Sequence, residues 1–124
     1  MSQHFEVAII GAGPAGIGAA TNAAFHSISH ILIEKSEVAN TIFQYQLKKH
    51  VMAEPARLPL RAKCRFEAGS REKILEEFAQ DLQTSRVNLV RGEVGKIERA
   101  GDRFSIQYGA HSCTANKVVL AVGV

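Results

Sequence analysis

Three glycines near the N-terminus have the spacing of a phosphate-binding turn. Gly11, Gly13 and Gly16 lie in the hexapeptide GAGPAG. In such a turn, the first glycine allows a tight bend, the second lets a diphosphate approach the backbone, and the third lets helix and strand pack closely. A helix that begins at Pro14 and Ala15 would direct a partial positive charge at the phosphates. The spacing therefore predicts a site for the diphosphate of a dinucleotide.

An acidic residue stands where the same kind of site needs one. Glu34 follows Gly16 by 18 residues, near the offset of about 20 residues at which a carboxylate accepts hydrogen bonds from an adenosine ribose. Its negative charge would repel a 2'-phosphate, so FAD or NAD is expected here and not NADP. Lys35, the next residue, is a cation that keeps the NADP reading open.

The flanking segments supply the elements that the glycine turn requires. Residues 5–10 (FEVAII) form an apolar, β-branched run typical of a buried parallel strand. Pro14 suits the first turn of a helix, which the alanine-rich residues 15–25 continue. Residues 30–34 (HILIE) predict a second strand. Strand, helix and strand make a βαβ unit, and this context makes the glycine pattern specific.

A second helix and another strand are predicted further along the chain. Ser70 is expected to cap a helix over residues 71–84. Its apolar stripe is Ile74, Leu75, Phe78, Ala79 and Leu82. Residues 87–90 (VNLV) predict a short strand. Between about residues 48 and 69, Pro55 and Pro59 interrupt any period, so a long connection of the kind that often borders a ligand is expected.

The C-terminal third predicts a small antiparallel meander and a last buried strand. Three short segments alternate as strands do, at residues 94–99, 104–108 and 112–115. Gly101, Asp102 and Gly109 are the turn residues between them. Residues 117–122 (KVVLAV) predict a separate buried strand that ends at Gly123.

Composition indicates one soluble domain, or part of one. The chain has 124 residues, of which 46% are hydrophobic and 22% charged, as in ordinary globular proteins. No run is long enough to cross a membrane and no signal peptide is evident, so a cytoplasmic location is expected. The net charge is +3, and the mild basic cluster within residues 57–73 forms no aromatic platform that would stack on bases. We expect neither a nucleic acid nor a membrane as a partner.

The sequence offers no metal site and no catalytic side chain. Cys64 and Cys113 lie far apart and form no CxxC pair, which indicates free thiols in a reducing compartment. The five histidines show no ligand spacing either. No residue is predicted to act as a nucleophile, acid or base, so any chemistry would come from a bound cofactor.

The chain resembles the start of the pyridine nucleotide-disulfide oxidoreductases, a superfamily of flavoproteins with two dinucleotide-binding domains. Within the superfamily, thioredoxin reductase-like and bacillithiol-disulfide reductase-like proteins are the most similar. The matching segments span nearly the whole chain: GAGPAG at 11–16, ILIEK at 31–35, RGEV at 91–94, FSI at 104–106 and ANKVVLAVG at 115–123.

This resemblance implies a fold, a cofactor and further site residues. The fold would be α/β, a Rossmann-like three-layer ββα FAD-binding domain with a parallel sheet and a small antiparallel β-meander. FAD would bind with the backbone at Val94 beside the adenine. Ala121 and Gly123 would lie near the middle of the FAD. The activity implied is electron transfer from NAD(P)H through FAD to an acceptor that the sequence does not identify.

Two departures from the pattern limit what carries over. Val122 stands where the superfamily usually has Ser or Thr, so a hydroxyl contact is lost. Residues 36–47 lack the disulfide-exchanging cysteine pair. By the resemblance, the NAD(P)H domain and a return segment that completes the flavin pocket would follow Gly123. We therefore expect residues 1–124 to be the N-terminal FAD-binding part of a longer flavoprotein, with weak retention of FAD on its own.

Two other functions stay open. The same glycines could hold NAD directly in a dehydrogenase domain, although a meander where a helix would be expected argues against this. The domain could also bind a nucleotide without catalysis, because a fold alone does not define an activity. The oligomeric state, monomer or homodimer, is also open.

Overall fold

The described residues form eight strands and three helices. The structure is a computed structural model that describes residues 3–51, 63–65 and 68–123. The helices are α1 (Pro14–Phe25), α2 (Asn40–Phe43) and α3 (Arg71–Thr84). The strands are β1 (Gln3–Ile10), β2 (His30–Glu34), β3 (His50–Val51), β4 (Gly69–Ser70), β5 (Leu89–Arg91), β6 (Val94–Ala100), β7 (Arg103–Tyr108) and β8 (His111–Leu120). The predicted α/β class is confirmed.

Six of these strands form one sheet with the order β5-β2-β1-β8-β7-β6. The first four strands in this order are parallel to one another. Strands β8, β7 and β6 are antiparallel and form the predicted meander. Strands β3 and β4 make a separate antiparallel pair. The parallel part brings the carboxyl ends of β1, β2 and β8 to one edge, where ligands bind in open α/β sheets.

Alternation along the strands divides the core into two layers. Ile9 of β1 and Leu32 of β2 face α1 and α3, whereas Ala8, Ile10 and Ile31 pack under the meander. This is the period of two that a strand imposes on its side chains. Helix α1 begins at Pro14 and β2 spans residues 30–34 as predicted, and β1 begins two residues earlier than predicted.

Helix α3 agrees with its predicted bounds and cap. The Ser70 hydroxyl accepts a hydrogen bond of 3.3 Å from the Lys73 amide, which satisfies one of the first-turn N–H groups. Three residues of the predicted stripe are buried: Ile74, Phe78 and Leu82. Ala79 was wrongly included in that stripe, because it lies on the exposed side of the helix.

The predicted end of the sheet is wrong in two respects. The predicted segments 112–115 and 117–122 are not separate strands, because β8 runs unbroken from His111 to Leu120. Strand β1 pairs with it along nearly its whole length, while β7 pairs only with its first half. The second half is also not buried, since Leu120 is 67% exposed. Pairing with β1 thus extends β8 beyond the residues that pair with β7.

The region between β2 and α3 is the least predictable part of the chain. Helix α2 and the short strands β3 and β4 were not predicted, and β5 begins two residues later than predicted. Pro55, Pro59 and most of the predicted long connection lie outside the described residues.

The two cysteines lie in different layers of the core. Cys64 packs on the helix side of the sheet. Cys113, in β8, packs in the other layer, among residues of β1 and the meander. Burial raises the pKa of both thiols, so both are held in the unreactive neutral form.

Within the part of the chain that the structure describes, no helix has the length and apolarity needed to cross a membrane.

Candidate functional site

The first glycine of the turn is required by the backbone. Gly11 has φ +104°, and a Cβ at this position would collide with the carbonyl group of Ala121. Its amide donates a 2.9 Å hydrogen bond to the Ile33 carbonyl. The bend therefore sits between β2 and the end of β8, and only glycine combines this conformation with so close an approach.

The other two glycines have different roles. A Cβ on Gly16 would collide with the carbonyl oxygen of Gly11, so the helix can only pack on the turn if this residue has no side chain. A Cβ on Gly13 would meet no protein atom within 4 Å, and the backbone there has an ordinary φ of −79°. Nothing in the described part of the chain requires glycine at position 13, which leaves that face of the turn open for a ligand.

The N-terminus of α1 is oriented toward the same open face. Gly13 is the N-cap residue and Pro14 occupies the first turn. Among the residues that the structure describes, no side chain caps this helix and no acidic side chain lies in its first turn. The first amide groups of a helix have no intrahelical partner, so this end can donate to an anion and favours one electrostatically.

Glu34 joins the turn to the segment that follows β2. Its side chain is buried, with the residue only 8% exposed. One carboxylate oxygen accepts a 2.8 Å hydrogen bond from the Ala12 amide, and the other accepts one of 2.8 Å from the Ser36 amide. Hydrogen bonds to a charged group are among the stronger ones. Glu34 thus positions both backbone segments, a role that the spacing of the motif did not reveal.

These residues line a cleft of about 460 Å³, called here the larger cleft. Its size falls within the range of about 300 to 1,000 Å³ that is usual for small-molecule sites. Most of the predicted site residues line it: Gly11, Gly13, Pro14, Ala15, Glu34, Lys35, Ala121 and Gly123. Gly16 lies behind the turn and does not line the cleft.

A smaller cleft of about 180 Å³ adjoins the larger one. The two clefts share Gly11, Glu34, Lys35 and Val122. The smaller cleft also contains Val94, the remaining predicted site residue. The fold therefore brings nine of the ten predicted residues to one continuous depression, with Glu34 and Lys35 at the junction of its two parts.

One wall of the larger cleft was not predicted. Ser36 and the residues from Ala39 to Ile42 line it. Ala39 is left-handed, with φ 52° and ψ 48°, and its amide donates a 2.6 Å hydrogen bond to the Ala12 carbonyl. Alanine rarely adopts this conformation, so its residue type did not signal the turn. The one available signal was position, because this segment directly follows the acid at the end of β2.

The arrangement suits binding more than acid–base catalysis. A helix N-terminus and open backbone can hold a diphosphate, and a buried carboxylate can accept hydrogen bonds from a diol. Among the described residues that line the larger cleft, Glu34 and Lys35 are the ionisable ones. In that part of the chain the Glu34 carboxylate bonds to backbone amides, so we expect any reactivity at this site to come from the molecule that it holds.

Comparison with known proteins is consistent with this geometry. The sequence model of a family described as "Pyridine nucleotide-disulphide oxidoreductase" matches residues 8–124. A search of curated protein sequences finds no match.

Solved structures share the fold across almost the whole chain. A bacillithiol disulfide reductase from Staphylococcus aureus has a TM-score of 0.81 at 20% identity, covering 98% of this chain and 39% of its own. The bacillithiol disulfide reductase from Bacillus cereus has a TM-score of 0.80 at 23% identity, and the match covers 98% of this chain and 40% of that protein. A thioredoxin reductase from Streptococcus pyogenes has a TM-score of 0.74 at 25% identity, and the match covers 99% of this chain and 36% of that protein. The chain thus spans less than half the length of each of these proteins.

Proposed function

The chain belongs to the pyridine nucleotide-disulphide oxidoreductase family, and from that premise we propose that it binds FAD. Residues 1–124 would form the FAD-binding part of a longer oxidoreductase that transfers electrons from NAD(P)H through the flavin to an acceptor. NAD(P)H would bind outside this chain. The observation that carries the proposal is the convergence of the glycine turn, the start of α1 and Glu34 on one cleft.

The diphosphate would lie against the turn. Gly13 has open space where any other residue would carry a Cβ, which allows phosphate oxygens to reach the backbone. Pro14 and Ala15 at the start of α1 line the same part of the cleft, where the positive end of the helix favours negative charge.

The adenosine would lie at the junction of the two clefts. Both oxygens of Glu34 already accept one backbone hydrogen bond. An ionised carboxylate offers about four lone-pair sites, so it can still accept the ribose hydroxyl groups. The smaller cleft, lined by Lys35 and the backbone around Val94, would then receive the adenine. A 2'-phosphate would face the Glu34 charge, which favours FAD at this site.

The flavin half would extend along the rest of the larger cleft, beside Ala121 and Gly123. Both residues line this cleft and not the smaller one, and the left-handed Gly123 (φ +75°) turns the chain there without a side chain. Bound FAD would accept and release electrons, whereas the residues of this chain would hold and orient it. No catalytic residue is assigned within the chain.

The meander distinguishes this proposal from an NAD-linked dehydrogenase domain. Strands β6, β7 and β8 follow one another as antiparallel neighbours, where a helical crossover would be expected in a domain that holds NAD directly. A nucleotide-binding module without catalysis would have the same cleft, so a measurement of electron transfer has to separate it from an enzyme.

Flavin reduction tests the proposal directly. The full-length protein is loaded with FAD, freed of excess flavin by gel filtration, and mixed with NADH or NADPH without oxygen. Bleaching of the flavin absorbance is the expected result. A flavin that binds but stays oxidised with both nucleotides would favour a non-catalytic module. Binding of NAD without binding of FAD would favour the dehydrogenase domain and overturn the proposal.

A further inference from the structure

The unpredicted wall of the larger cleft is a short helix that needs support from elsewhere. Helix α2 has four residues, of which Asn40, Thr41 and Ile42 line the cleft. A helix this short is not stable by itself in water. Its N-terminus is held by the hydrogen bond from the Ala39 amide to the Ala12 carbonyl. Ile42 is buried in the core on the helix side of the sheet. Its last residue, Phe43, is 40% exposed and therefore needs another anchor.

Arg71, the first residue of α3, supplies that anchor. Its guanidinium donates two hydrogen bonds to the Phe43 carbonyl, of 2.8 Å from Nη2 and 3.2 Å from Nε. The same group lies 5.2 Å from the centroid of the Phe43 ring, within the range of a cation–π contact. The Arg71 side chain is only 13% exposed. One side chain thus fixes both the backbone and the ring at the end of α2.

Glu72 reinforces the same connection. It accepts a 2.9 Å hydrogen bond from Arg71 Nη1 and a 2.7 Å hydrogen bond from the Lys48 amide. The Arg71 amide in turn donates to the Lys49 carbonyl at 2.7 Å. The hydrogen bond from Arg71 is the main reason that the pKa of Glu72 lies below its ordinary value. We call Arg71, Glu72 and these backbone partners the clasp.

We propose that Arg71 is a positioning residue for the cofactor, because it holds α2 as a wall of the larger cleft although it does not line the cleft itself. The inference rests on the proposed function, since it assigns α2 to the part of the site beyond the adenosine. Helix α2 lines the larger cleft and contributes no residue to the smaller one. Loss of the clasp should therefore weaken contacts to the part of FAD beyond the adenosine and spare the adenosine itself.

Arg65 provides a matched control. Its guanidinium, like that of Arg71, contacts side chains of α3: Nη2 lies 2.9 Å from Asp81 Oδ1 and 2.9 Å from Gln80 Oε1. Neither Arg65 nor these two partners lines either cleft. Arg71→Met and Arg65→Met each remove a guanidinium held by α3, but only the first removes the support of α2. Arg71→Lys keeps the charge and can donate only one bond at a time to the carbonyl in place of the planar pair.

The affinities of FAD and AMP are measured by titration calorimetry for the unsubstituted protein and the three variants. AMP carries the adenosine and one phosphate, and lacks the part of FAD that would extend along α2. We expect Arg71→Met to raise the Kd for FAD about tenfold, because α2 would then have to be ordered when FAD binds, and to leave the Kd for AMP within about twofold. Arg71→Lys should lie between, and Arg65→Met should match the unsubstituted protein.

Hydrogen exchange in the ligand-free protein separates a failure of this inference from a failure of the proposed function. We expect faster exchange of the Phe43, Gln44 and Tyr45 amides, which donate to the carbonyl groups of Ala39, Asn40 and Ile42, in Arg71→Met and not in Arg65→Met. Unchanged exchange there, or equal weakening of FAD and AMP, would overturn the positioning role. An unsubstituted protein that binds neither FAD nor AMP, yet shows the expected exchange, would overturn the proposed function and support the placement of α2 by Arg71.

Discussion

The two walls of the larger cleft are held in place by different means. The wall made by the glycine turn and Glu34 is attached to the ends of β1, β2 and β8 through backbone hydrogen bonds, such as Gly11 to Ile33 and Ala121 to Ile10. The wall made by α2 is attached through a buried isoleucine, one bond to Ala12, and a side chain that lies 28 residues further along the chain. One wall is thus part of the sheet's own hydrogen bonding, whereas the other is attached to the domain by a few side-chain and backbone contacts.

This difference predicts how each wall responds to change. Sheet ladders are cooperative and open only with the domain, whereas elements held by a few polar contacts open locally. Glu72 is 45% exposed at its side chain, so water reaches part of the clasp. We expect changes at Gly16 and Glu34, which hold the turn on the sheet, to cost global stability, and changes at the clasp to act mainly on the cleft.

The largest effect is expected from Gly16→Val, which tests the wall made by the glycine turn and Glu34, called here the rigid wall. The new Cβ would collide with the Gly11 carbonyl oxygen, a backbone atom that cannot move without displacing the turn. Overpacking of this kind should lower the free energy of unfolding by about 3 kcal/mol, measured by urea denaturation. Gly95→Ala is the control, because a Cβ at Gly95 meets no atom within 4 Å. Equal stability of the two variants would contradict the rigidity assigned to the turn.

Glu34→Ala should have the next largest effect on stability. It leaves the buried Ala12 amide and the half-buried Ser36 amide without their acceptor, at a cost of about 2 kcal/mol. The denaturation midpoint is compared with that of Glu37→Ala, which removes only the exposed pair between Glu37 and Arg91 and should change stability little. If Glu34→Ala were as stable as Glu37→Ala, the carboxylate would not be joining the two segments.

Gly13→Ala is expected to separate binding from stability. No atom of the described residues lies within 4 Å of the added methyl group, so the denaturation midpoint should not fall. The methyl group would occupy the space assigned to the diphosphate and weaken FAD binding about tenfold, which corresponds to about 1.4 kcal/mol. Fluorescence titration with FAD measures this directly. Unchanged affinity would place the diphosphate elsewhere.

The smallest effect concerns the pH dependence of the clasp. The pKa of Glu72 is lowered from its ordinary value of 4.5 in the folded protein. Its contribution to stability is therefore fully present above pH 4.5 and is lost as the pH falls through the lower folded value. Exchange of the amides of residues 40–49 should be slower than in Glu72→Gln at neutral pH, and this difference should vanish in acid. A difference that persisted below the folded pKa would exclude the carboxylate as its source.

Much of the fold could be predicted where local pattern and tertiary structure agree. Strand β2, helix α1 and helix α3 begin or end where apolar runs, Pro14 and Ser70 predicted. Strand β8 was wrongly divided in two, because its length depends on pairing with β1 and leaves no mark in its own residues. Helix α2 was missed because it begins after a left-handed Ala39, a residue type that rarely signals such a turn.

The sequence by itself determined the rigid wall of the cleft. Glycine spacing, the helix start and the acid at the end of β2 act within one βαβ unit, where residues close in sequence are also close in space. Only the tertiary structure decided that Glu34 binds the Ala12 and Ser36 amides and that Arg71 holds α2. Those contacts depend on how separate elements pack together, and side-chain partners that are distant in sequence leave no local pattern.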